Sequence, residues 1–231
     1  MKGDYSEMDL QEIKEQMCDV GHRLWTLGFI AANDGNITVK LGNGEFLATP
    51  TGMSKSFLTP EKILRVNEQG EVLECNTPGL RPSSEIKMHF RVYRERPDVN
   101  SVVHAHPPTA TAYAVAHIPL DKYIMPEAVL TLGDVPIAKY GTPSTEEIPD
   151  SISPYLPDHD AILLENHGAI TVGCDLTTAY YRMETLEYNA KVMLLSHLIG
   201  ERHEIADDKL RELEVLRKKM KFTGRYPGIK R

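Results

Sequence analysis

The sequence predicts an α/β fold in which a mainly antiparallel sheet is covered by helices. Three observations carry that expectation. Short apolar runs come in adjacent pairs joined by turns, as in "NITVKLGNGEFLA" and "DAILLENHGAITVG". Segments with helical spacing lie between those pairs, as in "IKMHFRVYRE". No G-x-G-x-x-G follows the first strand and no G-x-x-x-x-G-K-[ST] occurs, so a nucleotide-binding βαβ layout is not indicated. Hairpins separated by helices favour antiparallel over parallel pairing.

Taken in order, residues 9–29 predict an amphipathic helix, with Ile13, Met17, Val20, Leu24 and Leu27 on one face and Gly28 near its end. "NITVKL" and "EFLATP" form a hairpin around "GNG". "KILRVNEQGEVLEC" predicts a second, turning at Gln69-Gly70. "PSSEIKMHFRVYRERPD" predicts a helix entered through Ser83 or Ser84 and stopped before Pro97. "VNSVVHAH" is a strand, "PTATAYAVAH" a short helix and "DVPIAKY" a short strand. "STEEIPDSISPYL" predicts a helix broken at Pro149. The two strands of "DAILLENHGAITVG" meet at "ENHG". A long helix follows, with Asp175 as N-cap and Gly200 just past its end, then a last helix in "DDKLRELEVLRKKMK" and a loose tail.

Bulk properties narrow the function. A chain of 231 residues, 41% hydrophobic and 26% charged, fits one large globular domain. Net charge is −7, and the one basic cluster, "RKKMK" at 217–221, is expected on a solvated helix face. Nucleic acid and anionic membranes are therefore poor partners. Cys18, Cys75 and Cys174 are far apart, with no C-x-x-C, which fits a reducing cytosol better than a disulfide framework. No apolar h-region is visible in "MKGDYSEMDLQEIKEQ", and no run approaches the roughly 20 apolar residues of a membrane span. A cytoplasmic location is the expectation.

Chemistry concentrates at strand ends. Alternate residues of a strand share a face, so His104 and His106 point together, and Pro107-Pro108 places them where the strand stops. An isolated H-x-H reads equally as two hydrogen-bonded structural histidines. His167, in the turn between two apolar strands, supplies a third imidazole and completes a His₃ set with an open position. The other six histidines are read as structural or surface residues. "RPSSE" places Ser83, Ser84 and Glu85 at a helix start, where hydroxyls and free N–H groups suit either a cap or a phosphate. "NDGNI" and "TPTGMS" are turns whose neutral donors could complete such a phosphate site.

In this order N-D-G-N (33–36), T-P-T-G (49–52), P-S-S-E (82–85), H-A-H (104–106) and N-H-G (166–168) resemble the class II aldolase/adducin family, most closely its fuculose-1-phosphate aldolase branch. The resemblance spans roughly residues 10–226. It implies a three-layer α/β/α domain covering the chain, with residues 222–231 a tail near the active site. It implies a homotetramer with sites between subunits, and Zn²⁺, or Mn²⁺ or Co²⁺, on His104, His106, His167 and Glu85. Asn33, Asn36, Thr51, Gly52, Ser83 and Ser84 would hold the substrate phosphate. Glu85 would be the catalytic base, with Tyr123 and Tyr226 supplied by a neighbour. The implied activity is cleavage of a ketose 1-phosphate, such as fuculose 1-phosphate, to dihydroxyacetone phosphate and a short aldehyde through a metal-stabilised enediolate. Related branches are ribulose-phosphate 4-epimerases and methylthioribulose-phosphate dehydratases, and Glu127, four residues after Tyr123, is an acid that could serve their chemistry. Adducin heads are binding modules without the metal ligands, which this chain keeps.

Overall fold

The computed structural model describes residues 9–229. The first eight residues of the acidic N-terminus and the last two of the tail lie outside that range. Eight strands form one sheet: β1 (Asn36–Gly42), β2 (Glu45–Ala48), β3 (Leu64–Asn67), β4 (Val72–Glu74), β5 (Ser101–Ala105), β6 (Ile137–Ala138), β7 (Ala161–Leu164) and β8 (Gly168–Gly173). Their order is β4-β3-β2-β1-β5-β8-β7-β6. Every neighbouring pair is antiparallel except β6–β7, which is parallel and crosses over through a helix.

Strand alternation sorts the core into two halves. Ile37, Val39, Leu47, Val103, Ala105, Leu163 and Ala169 face one side. There they pack on α1 (Leu10–Thr26), α3 (Pro108–Val115) and α6 (Leu176–Ile199). Phe46, Ala48, Val66, Val102, Ile162, Ile170 and Val172 face the other. They meet α2 (Ile86–Glu95) and α5 (Glu147–Ile152). The result is helix, sheet, helix in three layers, as expected. His104 shares the parity of Val102, so it faces the α2 side.

One cap follows the sequence reading, Asp175 at the head of α6, and the structure adds a second, Asp9, at the head of α1. Asp9 accepts from the Gln11 N–H at 3.2 Å, and Asp175 from the Thr178 N–H at 2.6 Å. Each such cap contributes about 1 kcal/mol. The hairpin turn at Asn43-Gly44 has φ of 51° and 75°, the left-handed pair that a two-residue connection requires.

Several expectations change. Helix α1 ends at Thr26 rather than 29. Pro149 does not break α5, because the helix begins at Glu147 and the proline falls in a first turn whose N–H groups have no intrahelical partner. Neither Ser83 nor Ser84 caps α2; Glu85 occupies the cap position with helical φ and ψ. Gly200 is itself the C-cap of α6 and is extended, at φ 170°. "RKKMK" is not wholly solvated. Arg217, in α7 (Asp207–Lys219), is buried against the tail, with its guanidinium 4.5 Å from the Tyr226 ring. A short helix, α4 (Pro126–Thr131), occupies what reads as loop. All three cysteines are free, and no described helix is long and apolar enough to cross a membrane.

Candidate active site

Strands β5 and β1 lie side by side, with His104 opposite Asn36. Strand β8 flanks β5 on its other edge, with Ile170 opposite His104. His106 lies one residue beyond the end of β5, where its N–H donates to the Phe29 carbonyl at 2.9 Å. His167 sits in the β7–β8 turn. The turn is closed by the His167 N–H on the Leu164 carbonyl at 3.0 Å, with Asn166 left-handed at φ 55°. Its side is held by His117, whose Nε2 lies 3.1 Å from Glu165 Oε1 and 3.0 Å from Asn166 Oδ1.

Three strand ends thus bring three imidazoles together. Their ring centroids are 4.8–5.0 Å apart, and one ligand nitrogen from each lies within 4.8 Å of the others. Glu85 closes the group from the start of α2. Its Oε1 is 3.1 Å from His167 Nε2 and its Oε2 is 3.5 Å from His104 Nε2. The His104 and His106 Nε2 atoms are 3.1 Å apart.

These separations suit a metal. Four donors bonded to one tetrahedral ion at about 2.0–2.1 Å lie about 3.3 Å from one another. The outer hydrogen bonds agree. His104 Nδ1 lies 2.9 Å from the Ala169 carbonyl, so that nitrogen carries the proton and Nε2 keeps its lone pair for the shared space. His106 Nδ1 faces Asp34 Oδ2 at 3.6 Å. Asn36 Nδ2 donates to Glu85 Oε2 at 2.8 Å and fixes the carboxylate.

Protonation follows from burial. His104 is fully buried, and desolvation pushes its pKa down to about 3; the charge of Glu85 opposes this, and His106 and His167 reinforce it. His106 moves in the same direction by burial and then by His167. Burial pushes the Glu85 carboxyl up, but the His167 hydrogen bond, the His104 and His167 charges and the Asn36 amide together hold it well below the usual range. Neutral imidazoles at His104 and His106 beside an ionised Glu85 are the ligand states that a divalent ion requires.

Glycine is obligatory beside the cluster. A Cβ on Gly168 would lie 2.5 Å from the His106 ring and 2.6 Å from the Ala105 carbonyl.

The sequence-predicted phosphate residues converge next to Glu85. Pro50 and Pro82 form an isolated bridge, and the Thr51 N–H donates to the Arg81 carbonyl at 2.9 Å. That pairing lays the 49–52 turn beside Ser83 and Ser84. Ser83 Oγ accepts from the Glu85 N–H at 3.3 Å and lies 3.5 Å from Asn36 Nδ2. Gly52 is left-handed at φ 71°. Asn33 lies in the exposed turn before Asn36.

The tyrosines lie elsewhere within the chain. Tyr123 is buried with Val129 and Leu210, and its carbonyl accepts from the Ile205 N–H at 2.8 Å. Tyr226 rests on Arg217, and burial, with Glu214 and Tyr123 adding to it, pushes its hydroxyl up to about 12. The tail is anchored by the Arg225 N–H on Asp160 Oδ2 at 2.9 Å. Asp160 precedes β7, whereas His167 follows it, so the tail docks at the end of β7 away from its own histidines. Glu127 lines a groove with Leu27, Met125, Glu184 and Glu187, apart from the histidine cluster.

Three nearby side chains fall outside the sequence-predicted set: Asp34, inside the N-D-G-N turn and beside His106, Lys55 behind the two turns, and Ser144, whose Oγ is 2.6 Å from Ser84 Oγ.

Comparison with known proteins finds relatives over most of the chain. Residues 15–194 match the model described as the class II aldolase and adducin N-terminal domain. The chain is 33% identical over 192 residues to an L-fuculose phosphate aldolase from Methanococcus vannielii, covering 83% of this chain and 97% of that one. It is 31% identical over 197 residues to a 3-oxo-tetronate 4-phosphate decarboxylase from Escherichia coli strain K12, covering 83% and 90%. Among solved structures, YgbL from Klebsiella pneumoniae superposes with a TM-score of 0.80 at 29% identity, covering 89% and 99%. L-fuculose-1-phosphate aldolase from Thermus thermophilus gives 0.72 at 34%, covering 80% and 94%.

Proposed function

The chain belongs to the class II aldolase and adducin family, and from that premise we propose that it is a divalent-metal-dependent lyase that splits a ketose 1-phosphate into dihydroxyacetone phosphate and a short aldehyde. The observation that carries this is Glu85, bridged between His104 and His167 and held by Asn36. His104, His106, His167 and Glu85 would hold Zn²⁺, with Mn²⁺ or Co²⁺ as the other fitting ions. Such an ion supplies Lewis-acid stabilisation of the negative charge left on the ketose fragment as the C3–C4 bond breaks.

The chain's own residues do the rest. Asn36, Thr51, Gly52, Ser83 and Ser84, with Asn33 beside them, hold the phosphate through neutral donors and fix the substrate's register. Glu85, ionised in the free protein, exchanges a proton with the carbon of the ketose fragment. A second proton must move at the aldehyde oxygen. Tyr123 and Tyr226 cluster away from the histidines of their own chain, so a tyrosine in that role comes from a neighbouring copy. That supports a homotetramer with sites between subunits. A cytoplasmic setting fits the free cysteines.

A second reading rests on the 31% relative named 3-oxo-tetronate 4-phosphate decarboxylase. The same pocket would bind the phosphate of a 3-oxo acid, and the charge released by C–C cleavage would form as CO₂ leaves. A panel of ketose 1-phosphates, ketose 5-phosphates and a 3-oxo-tetronate 4-phosphate separates the readings, scored for dihydroxyacetone phosphate, epimer and CO₂ with metal analysis of the same sample. Dihydroxyacetone phosphate supports aldol cleavage; CO₂ alone would replace it by decarboxylation.

A further inference from the structure

Lys55 is 2% exposed, among the most buried charged residues described. Its ammonium reaches two backbone segments distant in sequence from each other. Nζ donates to the Asn33 carbonyl at 2.9 Å and to the Met53 carbonyl at 3.0 Å. One carbonyl belongs to the 33–36 turn that delivers Asn36. The other directly follows Thr51 and Gly52. The stem threads against α1 where residue 21 is glycine. A Cβ there would stand 3.2 Å from Lys55 Cβ and 2.9 Å from Leu58 Cδ1. Nothing in the proton transfers proposed above uses this lysine.

Burying a cation is costly unless its donors are satisfied. This one is held down by burial, at about 8, while Asp34 and Glu85 pull it upward. The same two carboxylates lie beside a pocket that must admit a dianion, and every donor assigned to that pocket is neutral. A buried ammonium behind the turns offsets the carboxylates without occupying the pocket.

We propose that Lys55 is the positioning residue of the phosphate pocket: its ammonium ties the Asn33 and Met53 carbonyls together, sets the spacing of the two phosphate-binding turns and balances the carboxylates of Asp34 and Glu85. This rests on the phosphate reading given above. It does not make Lys55 a ligand of substrate or metal.

Lys55→Met keeps the apolar stem and removes the charge, leaving both carbonyls unpaired. In the full-length protein, inorganic phosphate should then bind about ten-fold more weakly or worse by phosphorus NMR titration. KM for the cleaved sugar phosphate should rise by a similar factor, while kcat and bound metal stay within about two-fold. Lys55→Cys alkylated with 2-bromoethylamine restores an ammonium at similar reach and should recover most of the lost phosphate affinity. Wild-type protein alkylated in parallel controls for Cys18, Cys75 and Cys174. Unchanged phosphate affinity in Lys55→Met, or a matched fall in kcat and metal content instead of the KM effect, overturns the proposal. Should the substituted proteins not fold, ¹³C-methyl labelling of the wild-type lysines carries the test. The Lys55 signal must shift when phosphate is added, and a fixed signal overturns the proposal. Thr51→Ala and Ser83→Ala separate the two levels of the argument. If they weaken phosphate binding and Lys55→Met does not, Lys55 alone is misassigned. If wild-type protein binds no phosphate, the pocket reading fails and this one with it.

Discussion

Glu85 Oε1 lies 3.1 Å from His167 Nε2, although the two residues come from a helix start and a hairpin turn 82 positions apart. That contact joins the acid to the imidazole cluster, and removing its charge is the most direct test of the site. Glu85→Gln keeps the shape and the reach to Asn36. Turnover should fall by about 10²–10⁴-fold, the usual contribution of a positioned acid–base group. Steady-state rates on whichever substrate the panel selects decide it; near-normal turnover would remove Glu85 from proton transfer.

His104, His106 and His167 should act as one unit. Purified protein is expected to carry about one divalent ion per chain by mass spectrometry of the metal. Alanine at any of the three should abolish stoichiometric binding, and chelation should lower Tm as the ligation free energy is lost. Metal retained after loss of His104 would sink the assignment.

Acid should destabilise the metal-free protein in a defined window. His89 and His104 are buried, and desolvation lowers both to about 3 from an ordinary 6.5. Between those values the unfolded chain binds protons that the folded chain refuses. Stability therefore falls as pH drops below about 6.5, by up to about 1.4 kcal/mol per pH unit for each histidine. Glu85, held below its usual range, acts in the same sense as pH falls past the carboxylate range. His89 hydrogen-bonds Thr38 Oγ1 through Nδ1 at 2.8 Å and is no metal ligand, so His89→Asn isolates its share. Urea titrations at pH 7.0 and about 5 should show a shallower pH dependence in that variant; an unchanged slope contradicts the burial argument.

Asp160 should be the costliest single surface-to-core tie to lose. Its carboxylate meets Arg96 at 2.7 Å, Arg182 at 2.8 Å and the Arg225 N–H at 2.9 Å, and both guanidinium groups are buried. Asp160→Asn leaves the buried Arg182 without its carboxylate, while Arg96 keeps Asp98, and should cost about 3–5 kcal/mol in denaturant unfolding. Limited proteolysis should then release the tail. A loss under about 1 kcal/mol would show that the network is solvated in practice.

Much of this molecule is legible in the sequence because its signals are local. Period-2 alternation and the Asn43-Gly44 turn mark β1 and β2, two apolar runs around a turn mark β7 and β8, and the strand period pairs His104 with His106. His167 is legible because a lone imidazole interrupts two apolar strands. Other features depend on contacts that no local pattern encodes. Lys55 sits among Ser54, Ser56 and Phe57 like an ordinary loop lysine, and only the turns at 33 and 53 make it buried. Arg217 reads as one more cation in a basic run until the tail folds over it. Tyr123 is hidden by α4 and α7, elements whose meeting depends on the whole chain.

Gly168 gives the imidazole cluster its tolerance. Because no side chain can stand between β8 and the His106 ring, the interval is set by bare backbone on one side and a flat ring on the other. Backbone spacings in a paired sheet vary far less than rotamers do. The cluster thus inherits its dimensions from the hydrogen-bonded ladder between β5 and β8 rather than from adjustable packing. Widening the cluster would have to move a strand, whereas the loops around it can be rewritten without changing its dimensions.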